Sequence, residues 1–376
     1  MKNFCLLKVL DLQDAPVNQI SEAVGSLFHL QYLSLRGTKV KKLPSSIGKL
    51  QNLQTLDLKH SLVEELPTEI SKLRKLRHLV SYSYHWDDTF SFHIRNVTAG
   101  KIPAEICQNS LGMQNLGWVD SSNSLGLLDQ LGHLKQLRRL GVAGVEIKDG
   151  STLCNAIKNM HRLQTILIAS RNKDEVLDLD HMSSPPMFLR RVLLIGRLQK
   201  FPSWISQLEN VVKIGFCHSR LKDGSFEPLG KLPNLKMLVV SEAYDGETLY
   251  FGAMRFQKLK ILRLFYLYNL KVITMEPESL PVLEELELGS SPHMEFPTGI
   301  QHLKSLTLLN LHDMPKTFSD DLTPNIGQHF GIINHVPNVY VNSKAGAGRW
   351  ESSSLRCPYE RETLLYTQYS GPLRSS

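Results

Sequence analysis

One pattern constrains this chain more than any other: L-x-x-L-x-L recurs along nearly its whole length. Residues 30–35 read LQYLSL and residues 53–58 read LQTLDL, 23 residues apart. With Val, Ile, Met or Phe allowed for Leu, the pattern starts at Leu7, Leu30, Leu53, Leu76, Met113, Leu137, Leu163, Leu189, Val211, Leu235, Leu259, Leu283 and Leu306. Apart from one 37-residue gap after Leu76, the spacings run from 22 to 26. The placements at 113 and 163 fit least well. Leucine makes up 62 of the 376 residues, and this register accounts for most of the excess.

A period of 20–29 residues with this signature defines a leucine-rich repeat. The expected fold is α/β: a leucine-rich-repeat solenoid, curved like a horseshoe, with a parallel inner sheet and an irregular or short helical outer side. Each pattern reads as a short strand whose side chains alternate in direction, so Leu33 and Leu35 face inward while Tyr32, Ser34 and Arg36 face outward. The second half of several repeats reads L-P-x-x-I-x-x-L, as at Leu43-Pro44, Leu66-Pro67, Ile102-Pro103, Phe201-Pro202 and Phe296-Pro297. Proline suits the first turn of a helix, and the spacing that follows turns Ile and Leu inward. One such unit cannot bury its apolar face alone, so neighbours must stack. Length alone would predict two or three domains. The repeat predicts one solenoid of about 13 repeats over residues 1–314, a closing segment over 315–355 and a disordered tail over 356–376.

Two departures from regularity matter. Many repeats of this kind carry Asn three residues after the last strand Leu, but here that place holds Ala15, Thr38, Ser61, Val145, Ser219 and Ser291. Hydroxyls can donate one hydrogen bond there and Ala or Val none, so an irregular solenoid is expected. The 37-residue gap contains an aromatic insertion at 81–100, with Tyr82, Tyr84, His85, Trp86, Phe90, Phe92 and His93. Two readings stay open for it. Either it is a recognition loop, since Tyr and Trp anchor interfaces, or it folds back and plugs the solenoid. Deleting 83–97 would separate them.

The net charge of +7 is uneven: residues 1–80 carry twelve basic against seven acidic residues, and residues 241–300 five against nine. Ends of opposite sign suit protein docking. Basic residues do not alternate with aromatics, which argues against nucleic acid, and no apolar run reaches membrane-helix length. The five cysteines, at 5, 107, 154, 217 and 357, form no C-x-x-C pair, which fits reduced thiols in the cytoplasm. No phosphate loop, H-E-x-x-H or G-x-S-x-G motif occurs. His85 and His93 have no metal spacing. The chain is expected to have no enzymatic activity, cofactor or metal.

What remains is a surface. The outward strand positions give Tyr32, Arg36, Asp57 and Lys59 in the early repeats. Later repeats give Leu193, Ile195, Lys213, Met237, Val239, Ile261, Arg263, Phe265, Glu285 and Glu287. Apolar side chains in such places mark an interaction site unless flanking loops cover them. Arg263 beside Phe265 is expected to be an exposed hot-spot pair, whose replacement by Ala costs no more than about 1 kcal/mol of stability.

Specific stretches resemble one family. They are LQYLSLRGTKVKKLPSSIGKLQNLQTLDLKHSLVEELP at 30–67, LGHLKQLRRLGV at 131–142 and DEVLDLDHMSSPPMFLRRVLLIGRLQKFPSWISQLENVVKIGF at 174–216. AYDGETLYF at 243–251, HVPNVY at 335–340 and GRWESSSL at 348–355 add to these. Together they resemble the leucine-rich-repeat region of plant intracellular immune receptors, the coiled-coil nucleotide-binding type (NLR) common in cereals. The resemblance covers about residues 4–355. It implies a disease-resistance sensor that recognises pathogen effectors or modified host proteins and restrains a nucleotide-binding module. The early repeats of the family usually face that module, and the later ones usually carry recognition. Because the repeats begin at once near Leu7, the coiled coil and nucleotide-binding module are expected to be missing from a fragment, truncated gene product or decoy. The alternative is the substrate-binding repeat domain of a ubiquitin-ligase adaptor or a signalling scaffold.

Overall fold

Every one of the thirteen patterns forms a strand, including the weak placements at 113 and 163. The computed structural model describes residues 6–86, 94–122, 126–322, 326–344, 349–355 and 361–365. The chain packs as two compact units, one of residues 1–85 with 94–219 and the other of 86–93 with 220–376.

In the first unit the strands Val9–Asp11, Tyr32–Ser34, Thr55–Asp57, His78–Val80, Asn115–Asp120, Arg139–Val145, Thr165–Ser170, Arg191–Ile195 and Lys213–Cys217 pair in chain order, all parallel. In the second, Met237–Ser241, Ile261–Phe265, Glu285–Gly289 and Leu308–His312 do the same. The cause is the repeat itself: Leu30, Leu33, Leu35, Leu53 and Leu56 are fully buried, and so are their equivalents at Leu259, Leu262 and Leu264. Parallel pairing requires a crossover between strands. Here it is made by 3₁₀ turns such as Ser45–Lys49, Thr68–Lys72 and Ser203–Gln207. The prolines precede these turns instead of opening them: Pro44, Pro67 and Pro202 are extended, at φ −70°, −65° and −62°. Among the described residues the longest helix is Gly150–Lys158.

The hydroxyls at the asparagine position act as expected. Thr38 Oγ1 donates to the Leu35 carbonyl at 2.7 Å and Ser61 Oγ to that of Leu58 at 2.8 Å. Ser291 Oγ donates to Gly289 at 3.1 Å and accepts from the Leu267 amide at 3.2 Å. These side chains are buried, so each bond replaces a hydration that burial removes. Where Val145 stands instead, the ladder with the next strand shifts register between Val142 and Val145.

The repeats continue beyond Leu311. Asn338–Lys344 pairs parallel with Leu308–His312, and its V-P-N-V-Y-V, with Val336 and Val339 fully buried, is one more copy of the pattern with Val for Leu. Two antiparallel strands then follow, Arg349–Ser354 and Arg361–Leu365. The latter falls within the stretch expected to be disordered.

Candidate protein-interaction face

In the first unit the early outward positions remain half-buried: Tyr32, Arg36, Asp57 and Lys59 are all partly accessible. Asp57 Oδ1 accepts the Lys59 amide at 2.9 Å. The Lys59 ammonium lies 5.6 Å over the Tyr82 ring, a cation–π distance. Burial pushes the Asp57 carboxyl up, although the bond from the Lys59 amide and the charges of Arg36 and Lys59 oppose this. Burial also pulls Lys59 down, helped by the like charges of Arg36 and Arg139.

Further along the same unit the outward positions become apolar. Trp118, Ala143, Leu167, Ala169, Ile195 and Cys217 form one buried cluster. Each belongs to a strand of the main sheet, so the cluster runs across it as a stripe. Here the structure corrects an expectation: Ile195 is buried, not solvated. Part of the cause is the aromatic insertion. Its strands Tyr82–Trp86 and Ile94–Ala99 form a two-stranded sheet of their own, and Tyr82, Val97 and Ala99 pack against the stripe together with Leu193. The fold-back reading of the insertion describes this contact. Tyr84, His85 and Trp86 lie in the first of these strands, their side chains outside what is described. Phe90 and Phe92 lie outside the described residues.

In the second unit the correction is larger. Arg263 and Phe265, expected to be an exposed pair, are only 8% and 2% exposed, and Val239 and Glu287 are buried as well. Arg263 Nε donates to Glu287 Oε1 at 2.9 Å, and its Nη2 lies 3.7 Å from Glu285 Oε2. His312 Nε2 lies 3.8 Å from Glu287 Oε2. On the other side of the His312 ring, Asn342 Nδ2 sits 3.1 Å from Nδ1. Strand register puts Arg263 beside Glu287 and His312 beside Asn342, so the polar ladder crosses four strands. Burial would raise the Glu287 carboxyl, but His312 and the Arg263 charge outweigh it and hold it below its usual range. Burial lowers His312, and Glu287 reverses this only in part.

Phe265 is covered by the closing segment. It clusters with Tyr266 and Trp350, Trp350 lying in the antiparallel strand after the last parallel one. Its ring also lies across Gly289, opposite in register, to within 5.8 Å of the His312 ring. The first outward position of each strand stays partly accessible: Met237, Ile261, Glu285 and Leu308, neighbours in register. Lys213 of the first unit is likewise half-buried. Sequence reasoning missed Trp350, His312 and Asn342, and only the V-P-N-V-Y-V run could have pointed to the last parallel strand. Among the described residues no group of His, Cys, Asp and Glu is placed to hold a metal. Nor is any helix there long and apolar enough to cross a membrane.

Stacked parallel strands with apolar inner columns and short turns between them define a leucine-rich-repeat protein, and the chain belongs to that family, matching the leucine-rich repeat region over residues 1–322. More particularly, it is similar to the repeat regions of plant disease-resistance proteins. It is 34% identical over 336 residues to disease resistance protein RPM1 of Arabidopsis thaliana, covering 89% of this chain and 35% of that protein. It is 25% identical over 239 residues to disease resistance protein Pik-2 of Oryza sativa subsp. japonica, covering 56% and 23%. The chain thus spans about a third or less of the relatives it matches. Among solved structures, a leucine-rich-repeat protein of Leptospira interrogans superposes with TM-score 0.57 at 21% identity, covering 91% of this chain and 87% of that one. The repeat ectodomain of the plant membrane receptor kinase GASSHO1/SCHENGEN3 superposes with TM-score 0.52 at 18% identity, covering 82% and 39%. At these identities the likeness is one of fold.

Proposed function

We propose that this chain is the protein-recognition region of a plant intracellular immune receptor, working in the cytoplasm. It binds a pathogen effector or a host protein altered by one, and restrains a nucleotide-binding module. It performs no catalysis itself. The observation that carries the reading is the similarity to RPM1 along 89% of the chain. Supporting it, the accessible positions divide by chemistry. The early repeats offer Arg36 and Lys59 beside Asp57, a surface for an acidic partner such as the restrained module. The second unit offers Met237 and Ile261 beside Glu285, an apolar row with a charged edge, as interaction patches have.

The test is co-precipitation with the nucleotide-binding module of RPM1 expressed without its own repeats. Association in trans, lost when Arg36 and Lys59 are both changed to Glu but kept in Ile261→Asp, supports restraint through the early repeats. No association, or association indifferent to the charge reversal, overturns it.

A further inference from the structure

We infer that the two-stranded ribbon of the insertion, Tyr82–Trp86 with Ile94–Ala99, is a displaceable cover whose opening uncovers an apolar stripe on the middle repeats. The inference rests on the protein-recognition reading and concerns how that face is regulated. The stripe beneath is well buried: Trp118 is fully buried and Leu167 is 8% exposed. Among the ribbon's described side chains, Tyr82, Val97 and Ala99 meet it. Val97 and Ala99 are small and only half-buried, and Thr98 between them is exposed. The ribbon joins the frame at its base, where Gly100 bridges to Val119 and Lys101 to Glu65. The Gly100 amide donates to Ser81 and its carbonyl accepts from Asp120. Along its length the ribbon's two strands pair with each other in a separate sheet.

A two-stranded ribbon is marginally stable by itself, so its position depends on what ties it to the frame: the apolar contacts of Tyr82, Val97 and Ala99, the His60 amide donating to the Tyr82 carbonyl at 2.8 Å, and the Lys59 ammonium over the Tyr82 ring. The strands below are buried on one face by the leucine columns and tied on both edges by parallel neighbours. Two elements held so differently should open in separate steps, the ribbon first. Opening it leaves an exposed apolar patch that a soluble chain does not tolerate unless something covers it. The ribbon is therefore the resting occupant of the stripe, and a partner that replaces it must bring apolar surface of its own.

Hydrogen exchange on the full chain tests this without any partner. Amides of Ile94–Ala99 should exchange about a hundredfold faster than those of Arg139–Val145, as expected of a local opening. Val97→Asp should speed ribbon exchange further, by about tenfold or more, and raise fluorescence of the dye ANS severalfold. Exchange in Thr165–Ser170 should stay unchanged. Thr98→Asp, on the exposed side, should do neither. The inference is overturned if Ile94–Ala99 exchanges in step with Arg139–Val145, or if Val97→Asp loosens the whole unit. It is equally overturned if the ribbon opens and ANS stays dark. These readouts involve no receptor module, so their failure leaves the co-precipitation result standing, and the reverse also holds.

Discussion

Gly289 offers a sharp test of the packing around the polar ladder. Its backbone lies outside the left-handed region, so an alanine there meets no conformational barrier. On that ground alone Gly289→Ala should stabilise the chain by about 0.4–1 kcal/mol, by restricting the unfolded state. The side chains say otherwise. A Cβ at Gly289 would stand 2.6 Å from Cδ1 and 2.9 Å from Cε1 of Phe265, and 3.1 Å from Cβ of His312. The His312 contact yields by a few tenths of an ångström. The ring cannot, because it is pinned by Tyr266 and Trp350. Overpacking of this kind costs about 1–3 kcal/mol. Phe265→Ala alone should cost about 3–5 kcal/mol, for a buried ring that leaves a cavity. In the double variant the new methyl enters the vacated space, so its penalty vanishes and its entropic benefit returns. Independent effects would sum to about 4–8 kcal/mol; the double variant should instead lie at or below the cost of Phe265→Ala alone. Urea unfolding of the four proteins, followed by far-UV circular dichroism, closes the cycle. Additivity within about 0.5 kcal/mol, or a stabilised Gly289→Ala, would refute the reasoning.

The other predictions concern the buried charges and thiols. Arg263→Ala leaves Glu287 buried without its nearest cation and should cost about 3–5 kcal/mol in the same urea assay; a loss near 1 kcal/mol would mean that the pair is exposed after all. Both His312 and Glu287 are held below their ordinary values, so both contribute stability that is complete above pH 6.5 and lost on acidification. The His312 part fades first, below about pH 6.5, and the Glu287 part below about 4.5. Melting temperatures from pH 8 to 4 should fall in two stages, with His312→Gln flattening the upper one; an unchanged profile in that variant contradicts the assignment. Burial pushes the thiols of Cys107 up to about 12 and Cys154 up to about 11, so both should resist iodoacetamide at pH 8 until the chain unfolds. Mass spectrometry showing either one alkylated in the native protein would rule this out.

The frame was readable because a leucine-rich repeat repeats its own instructions. Alternation in a strand tells which side chains point inward, and burial follows for Leu33 or Leu262 whatever surrounds them. Outward positions carry no such guarantee. Alternation placed Phe265 and Ile195 on the far face correctly but could not say what lies above them. In both cases a segment outside the period is involved: Trp350 over Phe265, and the insertion ribbon against the stripe that holds Ile195. Single copies provide no internal comparison, so their packing could not be read as the leucines were. Arg263 shows the same limit in charge. Its neighbours in sequence are Leu262 and Leu264, and Glu287 reaches it only because the 24-residue period sets the two in register.

A consequence follows for how such a chain acquires specificity. Changing an inward Leu costs stability in every repeat alike, and a substitution at Met237 or Ile261 alters one side chain of an open row. A change in the ribbon or the closing segment instead exposes or hides several outward positions together. Variation that alters what this face recognises should therefore act most strongly through the segments that break the repeat. Exchanging 81–100 between this chain and a relative should shift binding more than exchanging a whole regular repeat such as 30–52. Equal effects of the two exchanges would assign recognition to the regular columns.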